Sequence, residues 1–407
     1  MPLLYLSFFI FLYFYLKGKR RSFDVACYIN VVYLVCVICF VILYYFYPKS
    51  ILHIDRISFS SVLSHLFLLS LFIGPFIIHS QKIAFSSFRI SDKGLSIFSW
   101  CIIIPSILAM MVSVYDVVDI IAFGNYEQAR EAYLNGEIDG GYIRRYGTLG
   151  YILSFGPQTC FIAVTMFFYS YFFKRRKKLG FLLFIASFAL VIQNLSIAGR
   201  EGFVRWILYF GFNTILFKNY LSYKSNKAFW KLLVVAGGLM LVVFSSITLD
   251  RFEESTYGPF YSIISYAGQP FYNFSYNYHA FWDKNTSGFF SIITLIGGNE
   301  ELSNAKRFAD FAMNTFPTFV GGFMFRIGLY RTAFLGLLWF LFLNILFGKN
   351  RHFSFTVFIT YITLCDIILI GVLYYIHYPR FTQITMVTYI MLAYILSIYP
   401  KKIIKSK

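Results

Sequence analysis

The chain has 407 residues, of which 58% are hydrophobic, 22% aromatic and 13% charged, with a formal net charge of +18. That balance excludes a water-soluble domain of this length, because apolar runs able to cross about 30 Å of hydrocarbon as helices recur throughout. The runs are continuous rather than alternating ten-residue strands, so the expected class is an all-α polytopic integral membrane protein and not a β-barrel.

Residues 2–16 are apolar with no basic residue before them, and Lys17, Lys19, Arg20 and Arg21 follow. A secretory signal carries its positive charge in front. The reversed order predicts no cleavable signal, an outer N-terminus and an inner basic cluster. About eleven spans are expected in all, near 2–16, 25–47, 61–79, 95–115, 149–172, 179–197, 202–217, 229–249, 328–348, 353–376 and 382–399. The first is short and can also be read as an interfacial segment.

The charges are segregated as this scheme requires. Connections 17–22, 80–94, 173–178, 218–231, 349–352 and 400–407 hold 22 of the 36 Lys and Arg, and all six fall on one face. Of the 18 acids, 15 fall on the other face. Short basic clusters beside spans, such as Lys174 to Lys178, are topogenic. They lack the interleaved aromatics of a nucleic-acid surface, so no nucleic acid is expected as a partner. All six cysteines lie inside apolar runs, without a Cys/His cluster, so neither a disulfide scaffold nor a metal site is expected. No cofactor is implied.

The expected organisation is a single membrane domain, 1–407, with two outer loops: a medium one, 116–148, and a large one, 250–327. The medium loop holds a helix-prone stretch, Tyr126 to Tyr133, then Arg144-Arg145-Tyr146-Gly147. The large loop holds an aromatic cluster, Tyr272 to Trp282, and a helical pattern through Leu302, Ala305, Phe308 and Ala312.

Polar chemistry must come from these outer parts. The most informative motif is Ser196-Ile197-Ala198-Gly199-Arg200-Glu201-Gly202, a turn between two closely joined spans. Small residues allow a sharp turn, and Glu201 and Arg205 share a helix face at i, i+4. The motif reads either as a capping salt bridge with a snorkelling arginine or as a grip on a diphosphate, for which the planar guanidinium fork is suited. Arg130, Arg144, Arg145, Arg251, Arg307, Arg326 and Arg331 are further anion-binding candidates, and Arg380 stands at a membrane edge. Asp250 is a candidate general base beside Glu253 and Glu254, as are His279 and His377; each also reads as an ordinary packed or solvated side chain. Asp366 stands deep within a span, where an acid serves either function or a hydrogen bond to a neighbouring helix. Tyr276 and Trp282, in the aromatic cluster, read either as an interfacial belt or as a platform for sugar rings.

The layout resembles the bacterial repeat-unit polymerases of O-antigen and capsular polysaccharide. The residues that carry the resemblance are Ala198-Gly199-Arg200-Glu201, the arginine-bearing loop before Leu149, and a large loop closing with Asn314-Thr315-Phe316-Pro317-Thr318. Gly321 to Tyr330 follows, with Arg326 where the family commonly has an acid. The resemblance implies glycosyl transfer without a metal on the outer face of the inner membrane of a bacterium, between undecaprenyl-diphosphate-linked oligosaccharides. It also implies a flippase and a chain-length regulator as pathway partners. Arg200, Glu201, Asp250 and His279 would then be catalytic. Arg130, Arg144, Arg145, Arg205, Arg251, Tyr276, Trp282, Arg326, His377 and Arg380 would bind substrate. An O-antigen ligase and a lipid-linked oligosaccharide flippase are the competing readings.

Overall fold

A computed structural model describes residues 1–20, 22–47, 57–123, 142, 146–221, 258–282, 318–349, 351–373 and 380–404, with scattered residues between 227 and 246. Every described element is helical: α1 (Pro2–Arg20), α2 (Val25–Phe46), α3 (Phe59–His79), α4 (Asp92–Phe123), α5 (Thr148–Gln158), α6 (Cys160–Phe168), α7 (Lys177–Ala186), α8 (Ala189–Leu195), α9 (Glu201–Leu216), α10 (Gly258–Trp282), α11 (Phe319–Ile327), α12 (Leu329–Gly348), α13 (Phe355–Ile370) and α14 (Arg380–Ile404). Among the described residues five stretches are long and apolar enough to cross a membrane: α2, α3 with its following turn, α4, α7 with α8, and α12. The pair α5 and α6, bent by 50°, makes a sixth. The expected span at 229–249 lies mostly outside the described residues.

The surface of α12 shows why lipid is the matching solvent. Phe334, Leu337, Leu338, Leu341, Phe342 and Ile345 are exposed, while Thr332, Gly336, Leu343 and Phe347 are buried. A contiguous apolar face of that kind is a liability in water. In hydrocarbon it costs nothing.

The chain divides into two compact units. The first comprises residues 1–88 and 260–388. In it α12 lies along α3, where Gly336 and Gly74 leave room for Phe72 and Phe340 respectively. The Trp339 indole donates to the Phe72 carbonyl at 3.1 Å. Basic residues here act as staples. Arg20 donates to Asp24, to Ser80 and to the Ile77 carbonyl, and Asp24 in turn caps α2 through the Cys27 amide. Lys82 donates to the last carbonyls of α12, Phe347 and Gly348, at 3.2 and 3.1 Å, which a helix C-terminus leaves without partners.

Part of the expected large outer loop is helical and packed into this unit. Helix α10 runs 25 residues. Its residues Phe271, Phe274, Ser275 and Tyr278 are buried, at the i, i+3, i+4, i+7 spacing of one helix face. Gly268 passes so close to α2 that an added Cβ would stand 2.7 Å from the Phe40 amide nitrogen. Helix α11 begins at Thr318, which is fully buried. Its first amide, Phe319, donates at 2.7 Å to the carbonyl of Gly371, just past the end of α13.

The second unit comprises residues 89–259 and 389–407. Its helices α4, α5, α6, α7, α8 and α9 surround a core of stacked aromatics that includes Phe161 on Tyr209 and Trp206 on Phe188. The break between α5 and α6 follows Pro157, which lacks an amide proton and disturbs the helix ladder. A five-residue π-helical turn, Tyr169–Phe173, closes the α6 rod. Arg176 then bonds back to the Asp92 carbonyl and the Ser96 hydroxyl at 3.0 and 2.8 Å.

Candidate functional site

The turn between α8 and α9 is the described part of the expected site. Helix α8 ends in a left-handed residue, Ala198, at φ 48°. The Gly199 amide donates to the Asn194 carbonyl at 2.7 Å and the Ala198 amide to the Leu195 carbonyl at 3.0 Å. This pair of bonds is the Schellman pattern that satisfies the last carbonyls of a helix. Its left-handed position is usually glycine, and here it is a fully buried alanine, at a cost of about 1–2 kcal/mol. Gly202 is forced by contact instead: a Cβ there would stand 2.6 Å from the Leu190 carbonyl oxygen. The sequence thus folds α8 and α9 into a tight hairpin, and the residue at its tip is Arg200.

Arg200 is half-buried and takes the N-cap position of α9, without a side-chain cap bond. Glu201 opens the helix, where the macrodipole favours an acid. Its carboxylate accepts from Arg205 Nη1 at 3.1 Å, with side chains 42% and 8% exposed. Arg205 Nε donates to the Tyr209 hydroxyl at 3.0 Å, and the guanidinium carbon lies 5.8 Å from the Tyr209 ring centre. Tyr209 is held by Phe161, whose ring is stacked on it at 4.4 Å. The Trp206 indole donates to Ser187 at 3.0 Å, tying α9 to the end of α7. A buried arginine, braced by an aromatic and by a half-exposed acid, therefore lies in the helix that Arg200 opens, five residues further on. A guanidinium fork suits the oxygens of an anion.

The rest of the expected constellation is described unevenly. Arg130, Arg144, Arg145, Asp250, Arg251 and His377 lie outside the described residues, as does the helical pattern at 302–312. The backbones of His279 and Trp282 belong to α10, that of Arg326 to α11 and that of Arg380 to α14, but their side chains are outside the described set. Tyr276 is half-buried on α10, its ring 5.7 Å from Tyr272. Its neighbours Phe271, Phe274 and Tyr278 face the packed interior, which removes them from any sugar platform. Asp366 is buried in α13. In the expected medium loop, the buried Tyr142 bonds to the Ser113 hydroxyl at 2.6 Å. Burial pushes the Tyr142 phenol up to about 12, which keeps it a proton donor.

Sequence reasoning passed over one polar group, His65. It is fully buried in α3 and bonded through both ring nitrogens. Its signal in the sequence is an ionisable side chain within an apolar run.

Comparison with protein-family models, curated proteins and solved structures found no match.

Proposed function

We propose that the chain polymerises lipid-linked oligosaccharide repeat units into a surface polysaccharide. The growing glycan on undecaprenyl diphosphate is the donor. A terminal hydroxyl of a single lipid-linked unit attacks its anomeric carbon, a base takes the hydroxyl proton, and the lipid diphosphate leaves. Charge develops on that leaving group, and fixed cations aimed at it lower the barrier. The observation that supports this reading most directly is the α8–α9 hairpin, which sets Arg200 at its tip, with a buried Arg205 in the helix that follows, at the end of apolar helices where a lipid headgroup would stand.

One observation favours a second reading. The helices divide into two compact units, and a transporter works by moving one bundle against another. A lipid-linked oligosaccharide flippase is the form of transporter that would handle the same substrate. Deletion of the gene in its native bacterium separates the two. Loss of long surface chains, with single repeat units still displayed outside, is the polymerase outcome. Repeat units retained on the inner face would assign the flippase reading instead. Unchanged surface glycans would end both.

A further inference from the structure

The basic end of the second unit is independent of the proposed reaction. Its connections 89–93, 174–178 and 217–220 hold eight Lys or Arg and a single acid, Asp92. Packing draws these connections together. Arg176 bonds to the Asp92 carbonyl and the Ser96 hydroxyl, and the Tyr220 ring lies edge-on to Phe173 at 5.1 Å. Two of the cations are engaged by the protein itself. Arg176 is one; Lys174 is the other, its Nζ 6.0 and 5.9 Å from the Tyr169 and Phe173 ring centres. Arg89, Lys93, Arg175, Lys177 and Lys178 are exposed.

Arg175 marks what that surface is for. It holds a left-handed conformation at φ 59°. On either side of it the Lys174 amide donates back to the Tyr169 carbonyl at 2.9 Å and the Arg176 amide to the Ser170 carbonyl at 2.8 Å. Glycine takes that conformation freely, whereas a residue with a Cβ is strained in it. Folding therefore favours glycine at 175. Insertion asks no more of the position: it reads the number of positive charges beside a span, and Lys174, Arg176, Lys177 and Lys178 supply them. An exposed arginine held against strain points to a ligand for its side chain. The place of the turn says which ligand. Candidate spans end at Phe173 and begin again at Lys177, so the three residues between them stand at the membrane surface, among lipid headgroups. Phosphate oxygens there accept from a guanidinium fork, and the excess of cations over acid selects headgroups of net negative charge.

We propose that this end of the second unit holds the headgroup of an anionic phospholipid, with the Arg175 fork on its phosphate and Lys93, Lys177 and Lys178 as the surrounding charge. The test is thermal unfolding of the purified full chain in detergent micelles titrated with phosphatidylglycerol. That lipid should stabilise the native chain, while phosphatidylcholine and inorganic phosphate should not. Without lipid, Arg175→Gly should unfold at a higher temperature than the native chain, since its strain is relieved. It should nevertheless need about fivefold more phosphatidylglycerol for half of the full stabilisation, the effect of one basic group near an anionic surface. Lys177→Gln combined with Lys178→Gln keeps the strained turn and removes two such groups, so about 25-fold more lipid should be needed. A native chain that phosphatidylglycerol leaves unmoved would overturn the proposal, as would a half-point that neither variant shifts. Equal stabilisation by phosphatidylcholine would mean a general lipid effect, and by inorganic phosphate a free-anion site; either result overturns it too. Should Arg175→Gly not be produced, the lysine variant decides alone.

Discussion

Two arginines in this molecule are paired with carboxylates at the same helical spacing, yet they are placed for different work. Arg20 pairs with Asp24 and Arg205 with Glu201, both at i, i+4, and both arginine side chains are under a tenth exposed. Asp24, however, is 19% exposed and Glu201 42%. Around Arg20 the fork is spent on a carboxylate, a hydroxyl and a carbonyl drawn from the α1–α2 connection and the end of α3. Around Arg205 the acid opens outward at the tip of a hairpin, beside a second arginine. One arrangement is sealed, as a joint between helices should be. The other leaves one side open, as a binding group must.

The largest expected effect tests the sealed pair. Arg20→Met leaves a largely buried carboxylate, 19% exposed, and a carbonyl without their partner, a loss toward the roughly 3–5 kcal/mol that breaking a buried pair costs. Arg205→Met should cost less, because water can reach the half-exposed Glu201 left behind, and exposed pairs are worth about 0–1 kcal/mol. Thermal unfolding of the two purified variants in one detergent measures the difference. Equal losses would abolish the distinction between joint and binding group.

Much of this was legible in the sequence, but unevenly. The membrane class, the runs that became α2, α3, α4 and α12, and the tight α8–α9 turn could be read from apolar length, charge placement and small residues. The second use of the basic connections was not legible. Arg20, Lys82 and Arg176 satisfy helix-end carbonyls and hydroxyls that only the packed helices bring within reach. Helix α10 was missed for a different reason. Its buried spacing at Phe271, Phe274, Ser275 and Tyr278 is present in the sequence, but Pro270 and the high tyrosine and asparagine content made the stretch read as an outer loop. His65 was hidden by its surroundings, since its partners Tyr5, Phe274 and Thr318 lie 60, 209 and 253 residues away.

The open pair is tested by activity rather than by stability. Arg200→Ala should lower chain extension by at least about tenfold, the equivalent of one lost charge-assisted bond to phosphate at about 1.5–3 kcal/mol. Arg200→Lys should rescue little, because a point charge does not reproduce the fork. Surface-polysaccharide chain length, in cells lacking the native copy and at matched membrane levels of the variant, is the measurement. Normal chain lengths from a stable Arg200→Ala protein would make the hairpin a purely structural turn, and the contrast with Arg20 would lose its functional side.

The smallest effect sharpens the hairpin itself. Ala198 holds a left-handed conformation at φ 48° inside the protein, whereas Ala163 is equally buried in the regular helix α6. Changing either to glycine removes one buried methyl, about 0.8 kcal/mol by area, and frees the unfolded chain by a similar amount, about 0.4–1 kcal/mol. Those two losses are common to both variants and cancel in their difference. What remains is the left-handed strain of about 1–2 kcal/mol, which Ala198→Gly relieves and Ala163→Gly does not. Ala198→Gly should therefore be the more stable variant by about that amount, near neutral against the native protein, in parallel thermal unfolding. If the two glycine variants unfold alike, Ala198 is not left-handed in the folded chain, and the Schellman turn that aims Arg200 is wrong.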